Sequence, residues 1–244
     1  MNLQHISSPR MTRETARDRF LLPCGPLALL CIFIFLAASR LLPPVSPSKS
    51  PEDLVAHYSQ NKSAIDAGVF LCLVGSILWP LYTVAINNQL SRIPGIHPTI
   101  LSLQTASGAV SGATILLIGI FFAAATYRLD RDPVVTELAS DLAWLAYTFA
   151  STPWFVQEAV LSWGICCDYR AKPLIPHWVA WVNAGLSLSW IPTYATHIVH
   201  DGPLAWNGGY TFWVPWGTSG IMYTLVTIYF WKAAGIVDGG EVVN

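Results

Sequence analysis

Charged side chains are scarce in this sequence. Only 11% of its 244 residues are Asp, Glu, Lys or Arg, against about 25% in a typical soluble domain. That deficit argues against an ordinary water-soluble fold. The net charge of −1 supplies no basic surface, so no nucleic-acid partner is expected. The five cysteines, Cys24, Cys31, Cys72, Cys166 and Cys167, include no CxxC spacing, which speaks against a disulfide framework and a zinc site. Phosphate loops, dinucleotide glycine patterns, serine elbows and HExxH are all missing from the sequence. ATP-driven, nicotinamide-dependent and serine-hydrolase chemistries lose support accordingly, and neither cofactor nor metal is expected. The absence of an internal repeat weighs against an inverted-repeat transporter.

What is abundant is apolar: 53% of the residues are hydrophobic, and 11 are Trp. Six long apolar stretches stand out at about 21–42, 67–87, 100–126, 142–166, 178–199 and 210–234, each near or above the ~20 residues that cross a bilayer. Backbone groups in lipid must be satisfied within their own segment, so the expected fold is an all-α bundle of about six transmembrane helices. Residues 1–20 read as a basic arm, 21–236 as one bundle domain, and 237–244 as a tail. Arg10, Arg13, Arg17, Arg19, Arg92, Arg170, Lys172 and Lys232 fall on one side, against Arg40, Lys49, Lys62, Arg128 and Arg131 on the other. The positive-inside rule then puts both termini in the cytosol, with the endoplasmic reticulum as the expected membrane. The sequon Asn61-Lys62-Ser63 falls on the opposite, lumenal side. The first apolar run, despite Ala37-Ala38-Ser39, reads as an uncleaved anchor rather than a signal peptide, because its basic flank is long. Ser50-Pro51-Glu52-Asp53 reads as a helix start. It opens a short lumenal helix near 51–63 whose Leu54, Val55 and Tyr58 would lie on the membrane surface or lid the bundle.

Polar residues recur at helical spacing inside the apolar stretches. At about 100° per residue, Asn183, Ser187, Trp190, Tyr194 and His197 fall within an arc of about 80°. Asp141, Thr148, Ser151, Thr152, Glu158 and Ser162 share about 120° by the same arithmetic. Ser76, Trp79, Thr83 and Asn87 form a further stripe, as do Gln104, Ser107, Ser111 and Thr114, and Trp216, Ser219, Tyr223 and Thr227. Lipid penalises such groups, so the stripes are expected to converge inside the bundle, as interhelical hydrogen bonds or as a cavity lining. Gly108 and Gly112 form a GxxxG close-packing pair.

Glu158 is the one fully charged side chain deep in an apolar stretch, which makes it a functional candidate by default. A carboxyl group at that depth is cheapest as the neutral acid, and a neutral acid can donate a proton. Asn87, Gln104 and Asn183, with Trp154 one turn away, are its candidate neighbours. Asp141 lies 17 residues earlier, about 25 Å along a helix, so the two acids serve different places. Asp141 is expected at a second, rim cluster with Asp66, Arg128, Tyr147, Tyr194, His197, His200 and Asp201. A carboxylate, Tyr and His gathered at a pocket mouth can run acid–base chemistry. An interfacial ion pair of Arg128 with Asp141 is the plainer alternative.

With Glu158 and Asp141 in the fourth stretch and Trp144, Trp154, Trp190 and Tyr194 as pocket walls, the chain resembles the small polytopic membrane enzymes of fungal polyketide and meroterpenoid pathways. The resemblance covers size, multiple spans, Trp richness and acids set into the bundle. It departs in having one mid-span acid where the terpene-cyclising members use a pair. It implies an enzyme that opens an epoxide of a hydrophobic natural product by hydrolysis or cyclisation. Its catalytic candidates are Glu158, Asp141, His197 and Tyr194. Its substrate-binding candidates are Trp79, Asn87, Gln104, Trp144, Trp154, Asn183, Trp190, Trp216 and Tyr223. The partners would be a lipophilic substrate and membrane lipid. The rival expectations are a small-molecule or lipid transporter or receptor using Glu158 as a coupling group, and a membrane scaffold, which the short tails disfavour.

Overall fold

The computed structural model describes residues 13–236. It is 79% helical, with no strand among the described residues. The elements are α1 (Arg13–Leu21), α2 (Cys24–Ala38), α3 (Pro51–Leu90), α4 (Pro98–Tyr127), α5 (Pro133–Phe149), α6 (Ser151–Cys166) and α7 (His177–Ser187), then a 3₁₀ segment (Leu188–Ile198), a short 3₁₀ turn (Gly202–Leu204), a π-turn (Gly209–Trp213) and α8 (Val214–Ala234). Among the described residues, three helical stretches are long and apolar enough to cross a membrane: Ala16–Ala38, Pro51–Leu90 and Pro98–Tyr127. Elsewhere the helices are cut short. Pro153 has no N–H for the Phe149 carbonyl and its ring crowds it, and the α5–α6 break falls at Ala150. Pro192 lies inside the 3₁₀ segment.

The expected basic arm is helical from Arg13 onward, while residues 1–12 and the tail 237–244 lie outside the described residues. Asp18 on α1 is buried and accepts from Asn88 Nδ2 at 3.0 Å and Gln89 Nε2 at 2.7 Å. Arg92 donates to Gln89 Oε1 at 2.7 Å and to the Ala233 carbonyl at 2.9 Å. Together these ties lock α1, α3 and α8 at one end of the bundle.

The helix start at Ser50 forms as expected, with Ser50 Oγ accepting from the Asp53 amide at 3.2 Å. The separate surface helix over 51–63 does not form. Nothing between Asn61 and Asp66 breaks a helix, and Lys62 bridges to Asp66 at 2.7 Å across the junction. The chain therefore runs on as one 40-residue helix, about 60 Å long. Its projecting part packs on α5 through Leu54 and Tyr58, whose hydroxyl lies 2.6 Å from Ser140 Oγ.

α3 and α4 make the tightest seam. A Cβ at Gly108 would come within 2.3 Å of Thr83, and one at Gly112 within 3.0 Å of the Pro80 ring. The glycines let the two backbones approach. The bundle is apolar outside and partly polar within: Phe70, Ile77 and Val110 are exposed, while Gln104, Gln157 and Asn183 are fully buried. The polar stripes of α3 and α4 do turn inward. Most of their hydroxyls, however, bond the carbonyl one turn back on their own helix, as in Thr83 to Trp79, Ser111 to Ser107 and Thr114 to Ser111. The centre is filled by aromatic rings. Trp79 stacks on Trp154 at 4.4 Å between centroids, and Tyr223 meets Trp79 edge-on at 5.0 Å.

Candidate functional site

A recess of about 450 Å³ opens at the end of the bundle where α5 begins. Glu137 and Asp141, one turn apart on α5, form one wall. Thr196 and His197 at the end of the 3₁₀ segment, with His200 and Asp201 just beyond it, form the other. Ser48, in the loop before α3, donates to Asp201 Oδ1 at 2.6 Å. Trp206, also in the lining, is pinned by its indole N–H to the Val45 carbonyl at 2.7 Å.

Asp141 is half-buried here. Burial holds its carboxyl above the ordinary carboxylate value, the neighbouring Glu137 charge adds to that, and His200 opposes it. A carboxyl that keeps its proton more readily than usual, next to two imidazoles, is the physical basis of a general acid with a base at hand. His197 Nδ1 lies 2.9 Å from the Tyr194 carbonyl, which orients its ring. Among the described residues no group of three or more His, Cys, Asp or Glu is placed to hold a metal ion.

Glu158 sits elsewhere. It is 1% exposed and lines neither the recess nor the inner cavity described below. Its carboxyl neighbours Asn183 and Tyr223, but neither meets hydrogen-bond geometry, and Oε2 is buried without a partner. Of its expected companions, Asn183 donates to the Glu158 backbone carbonyl, and Trp154 stands one turn away on α6. Asn87 instead donates to Thr105 Oγ1 at 3.1 Å. Gln104 is fully buried with both amide atoms unpartnered.

A second cavity, of about 70 Å³, lies deeper, where the α5–α6 break, the 3₁₀ segment and the π-turn meet. Trp154, Trp190, Thr193, Phe212 and Trp216 are among its walls. Trp216 donates from Nε1 to the Tyr147 hydroxyl. Two of the other substrate-binding candidates, Trp79 and Trp144, are completely buried. The indole N–H of Trp79 is used up on Gln157 Oε1 at 3.0 Å, and Trp144 stacks on Trp206. Tyr223 belongs to the central aromatic cluster rather than to a lining.

The expected α-helical arc through Asn183, Ser187, Trp190, Tyr194 and His197 breaks after Ser187, because the backbone tightens to three residues per turn. At that period Trp190, Thr193 and Thr196 face inward and are buried. Leu188, Ile191, Tyr194 and His197 form the outward stripe. Tyr194 thus lines neither cavity, whereas His197 reaches the recess only because it stands at the segment's end. The expected rim cluster is corrected in three further places. Asp66 is bound to Lys62 and Thr126 Oγ1, Arg128 lies over the Tyr127 ring rather than on Asp141, and Tyr147 lines the inner cavity. Glu137, Ser48 and Thr196 are among the recess residues that sequence reading missed. Asp132-Pro133 is a capping residue followed by proline, and Asp132 does cap α5, accepting from the Val134 amide at 3.0 Å. Read as a helix start, it would have placed Glu137 one turn from Asp141.

Compared with known proteins, the chain matches no family model, no curated protein and no solved structure.

Proposed function

We propose that this protein is a membrane-embedded enzyme that opens an epoxide of a hydrophobic substrate in the recess around Asp141. One observation carries the reading: a half-buried carboxyl, disposed to keep its proton, faces imidazoles in a recess large enough for a small organic molecule. The Asp141 carboxylic acid gives its proton to the epoxide oxygen as the C–O bond breaks. A water, or a hydroxyl of the substrate itself, attacks the carbon and loses its proton to His200 or His197. Water gives a diol and an internal hydroxyl gives a cyclic ether. The imidazolium then returns its proton to Asp141 through solvent. Proton donation of this kind is worth about 10²–10⁴-fold. Burial, with the Glu137 charge beside it, disposes Asp141 to keep its proton, and Ser48 holds Asp201 at the rim.

The chain would cross the membrane six times, its last three passes built from the broken elements α5–α6 beyond Asp141, α7 with the 3₁₀ segment, and the π-turn with α8. Arg19, Arg92, Arg170, Lys172 and Lys232 belong to the end opposite the recess. The positive-inside rule would make that end cytosolic, with the recess open to the lumen of the endoplasmic reticulum.

The test is turnover of lipophilic epoxides by reconstituted membranes, with the diol or cyclised product read by mass spectrometry. Asp141→Asn is expected to lose about 10²-fold or more, and His200→Gln a comparable factor, while Glu158→Gln keeps the wild-type rate. Wild-type turnover in both Asp141→Asn and His200→Gln refutes the reading. The unpartnered Oε2 of Glu158 in the bundle centre is the one observation that favours the rival, a transporter with Glu158 as coupling group. Glu158-dependent, proton-driven solute uptake into proteoliposomes would establish it.

A further inference from the structure

The recess and the inner cavity are built end to end on the same two walls. On α5, Glu137, Asp141 and Leu145 face the recess, and Tyr147 and Thr148 face the inner cavity. On the 3₁₀ segment, Thr196 faces the recess, and Trp190 and Thr193 face the cavity. Thr193 and Thr196 are one 3₁₀ turn apart, about 6 Å. That spacing is within the length of one elongated molecule.

The two compartments differ in chemistry. The recess carries carboxyl and imidazole groups. The inner cavity is walled mainly by aromatic and aliphatic side chains, Leu29 and Ile32 of α2 among them. Most of its hydroxyls are already engaged: Thr193 Oγ1 donates to the Trp190 carbonyl at 2.6 Å and pairs with Ser151 Oγ at 2.7 Å. Among its indoles, Trp154 and Trp216 are engaged as well, and the exception is the Trp190 N–H. Trp190 is 2% exposed, belongs to the cavity wall, and its Nε1 has no hydrogen-bond partner. A buried donor left unpaired costs about 1–3 kcal/mol, so an acceptor brought up to it would offset that cost. At about 70 Å³ the cavity is roughly half the size of one that takes up benzene, ~150 Å³. It admits the narrow end of a chain rather than a fused ring. On the side toward the surrounding lipid, partly exposed Pro215 and Trp216 edge it, and exposed Phe33 packs on Trp216 at 5.7 Å between centroids.

We propose that the inner cavity holds the apolar arm of the ligand whose reactive end lies in the recess, with the Trp190 N–H donating to an oxygen on that arm. The ligand class is a slender amphiphile with a carbonyl or ether oxygen partway along a hydrocarbon chain. Such a molecule enters from the lipid past Phe33 and Trp216. The epoxide reading supplies only the identity of the reactive end; the arm site itself rests on the cavity and the unpaired indole.

The full-length protein, reconstituted in phosphatidylcholine vesicles, is photolabelled with two alkyl epoxides bearing a diazirine at the far end of the chain, one with a mid-chain ether oxygen and one without. Peptide mass spectrometry locates the labels. They are expected on Trp190, Thr193, Trp216 and Ser219, and are expected to be lost in Ser219→Trp and reduced in the milder Thr193→Leu. Trp190→Phe should weaken labelling by the ether probe about fivefold, the loss of one hydrogen bond, and leave the all-hydrocarbon probe unchanged. Labels confined to outward residues such as Leu188 and Ile191, indifferent to the filling variants, overturn the arm site. So does an equal effect of Trp190→Phe on both probes. Labelling needs no turnover, so cavity labels without product formation defeat the epoxide reading alone, and product without cavity labels defeats the arm site alone.

Discussion

Asn183 turns its amide N–H groups onto α6, donating from Nδ2 to the Glu158 carbonyl at 3.2 Å and to Ser162 Oγ at 3.0 Å. That orientation fixes Asn183 Oδ1 as an acceptor, and it has no donor, just as Glu158 Oε2 has none. The Tyr223 hydroxyl beside them is unpaired as well, and exchanging the carboxyl for a carboxamide makes a direct prediction. Glu158→Gln supplies amide hydrogens at the same place and volume, and is expected to match or exceed the wild type in unfolding resistance in detergent micelles. Glu158→Ala removes the side chain from a packed centre and should cost about 2–4 kcal/mol. Equal destabilisation by the two changes would show that the carboxyl group has a structural partner of its own.

The α3–α4 seam predicts a rescue. Gly108→Ala drives a methyl into Thr83, which stands 2.3 Å from the built Cβ position, and should cost about 1–3 kcal/mol. Thr83→Ala opens that space, so the double variant should recover much of the loss. Additive losses in the same unfolding assay would place the clash elsewhere.

Asp168 predicts an acid-side loss of stability. It lies in the α6–α7 loop, and its side chain is 1% exposed. Burial alone would raise its carboxyl, but the Arg170 guanidinium at 2.5 Å and the Leu174 amide at 2.7 Å outweigh that and hold it below the ordinary value. A depressed native value means that the unfolded chain takes up a proton first as pH falls. The stabilisation is therefore complete above the unfolded carboxylate value of about 3.9 and is lost as pH drops toward the native one. Asp168→Asn should flatten the acid limb of the stability profile and lower stability near neutrality. An unchanged acid limb counts against the assignment.

Asp141 predicts the opposite sign. Its carboxyl is held above the ordinary value by burial and by Glu137. Stability is then greatest below the unfolded value and declines as pH rises toward the native one. Asp141→Asn removes that penalty, so it should be more stable than the wild type at neutral pH while losing turnover, a trade of stability for activity at a working site. Melting temperature measured against pH for the two proteins decides it, and a destabilised Asp141→Asn sinks the claim.

Much of the architecture can be read from composition and spacing. The all-helical class, the Ser50 cap and the glycine seam follow from local chemistry, because lipid-compatible helices leave few alternatives. The pairing of Asp141 with His197, His200 and Asp201 was also within reach, since acids and histidines at stretch ends gather at one end of a bundle. Glu137 was hidden because the helix containing it starts at Pro133, well before its apolar stretch. Glu158 drew attention by charge alone, and nothing in one sequence reveals whether a buried carboxyl faces a void or solid packing. The inward face of Leu188–Ile198 was unreadable for another reason: a wheel drawn at 100° per residue drifts by about 20° at each step from a backbone turning 120°. By Tyr194 that drift carries a residue from the inner wall to the outer one.

The tightened winding of Leu188–Ile198 has a mechanical corollary. Eleven residues rise about 22 Å as a 3₁₀ coil but about 16 Å as an α-helix. Relaxing to the commoner coil would draw His200 about 6 Å down the bundle and swing Thr193 and Thr196 off the face they share with Trp190. The alignment of the two chambers, and the reach from acid to imidazole across the upper one, therefore depend on the winding of these eleven residues.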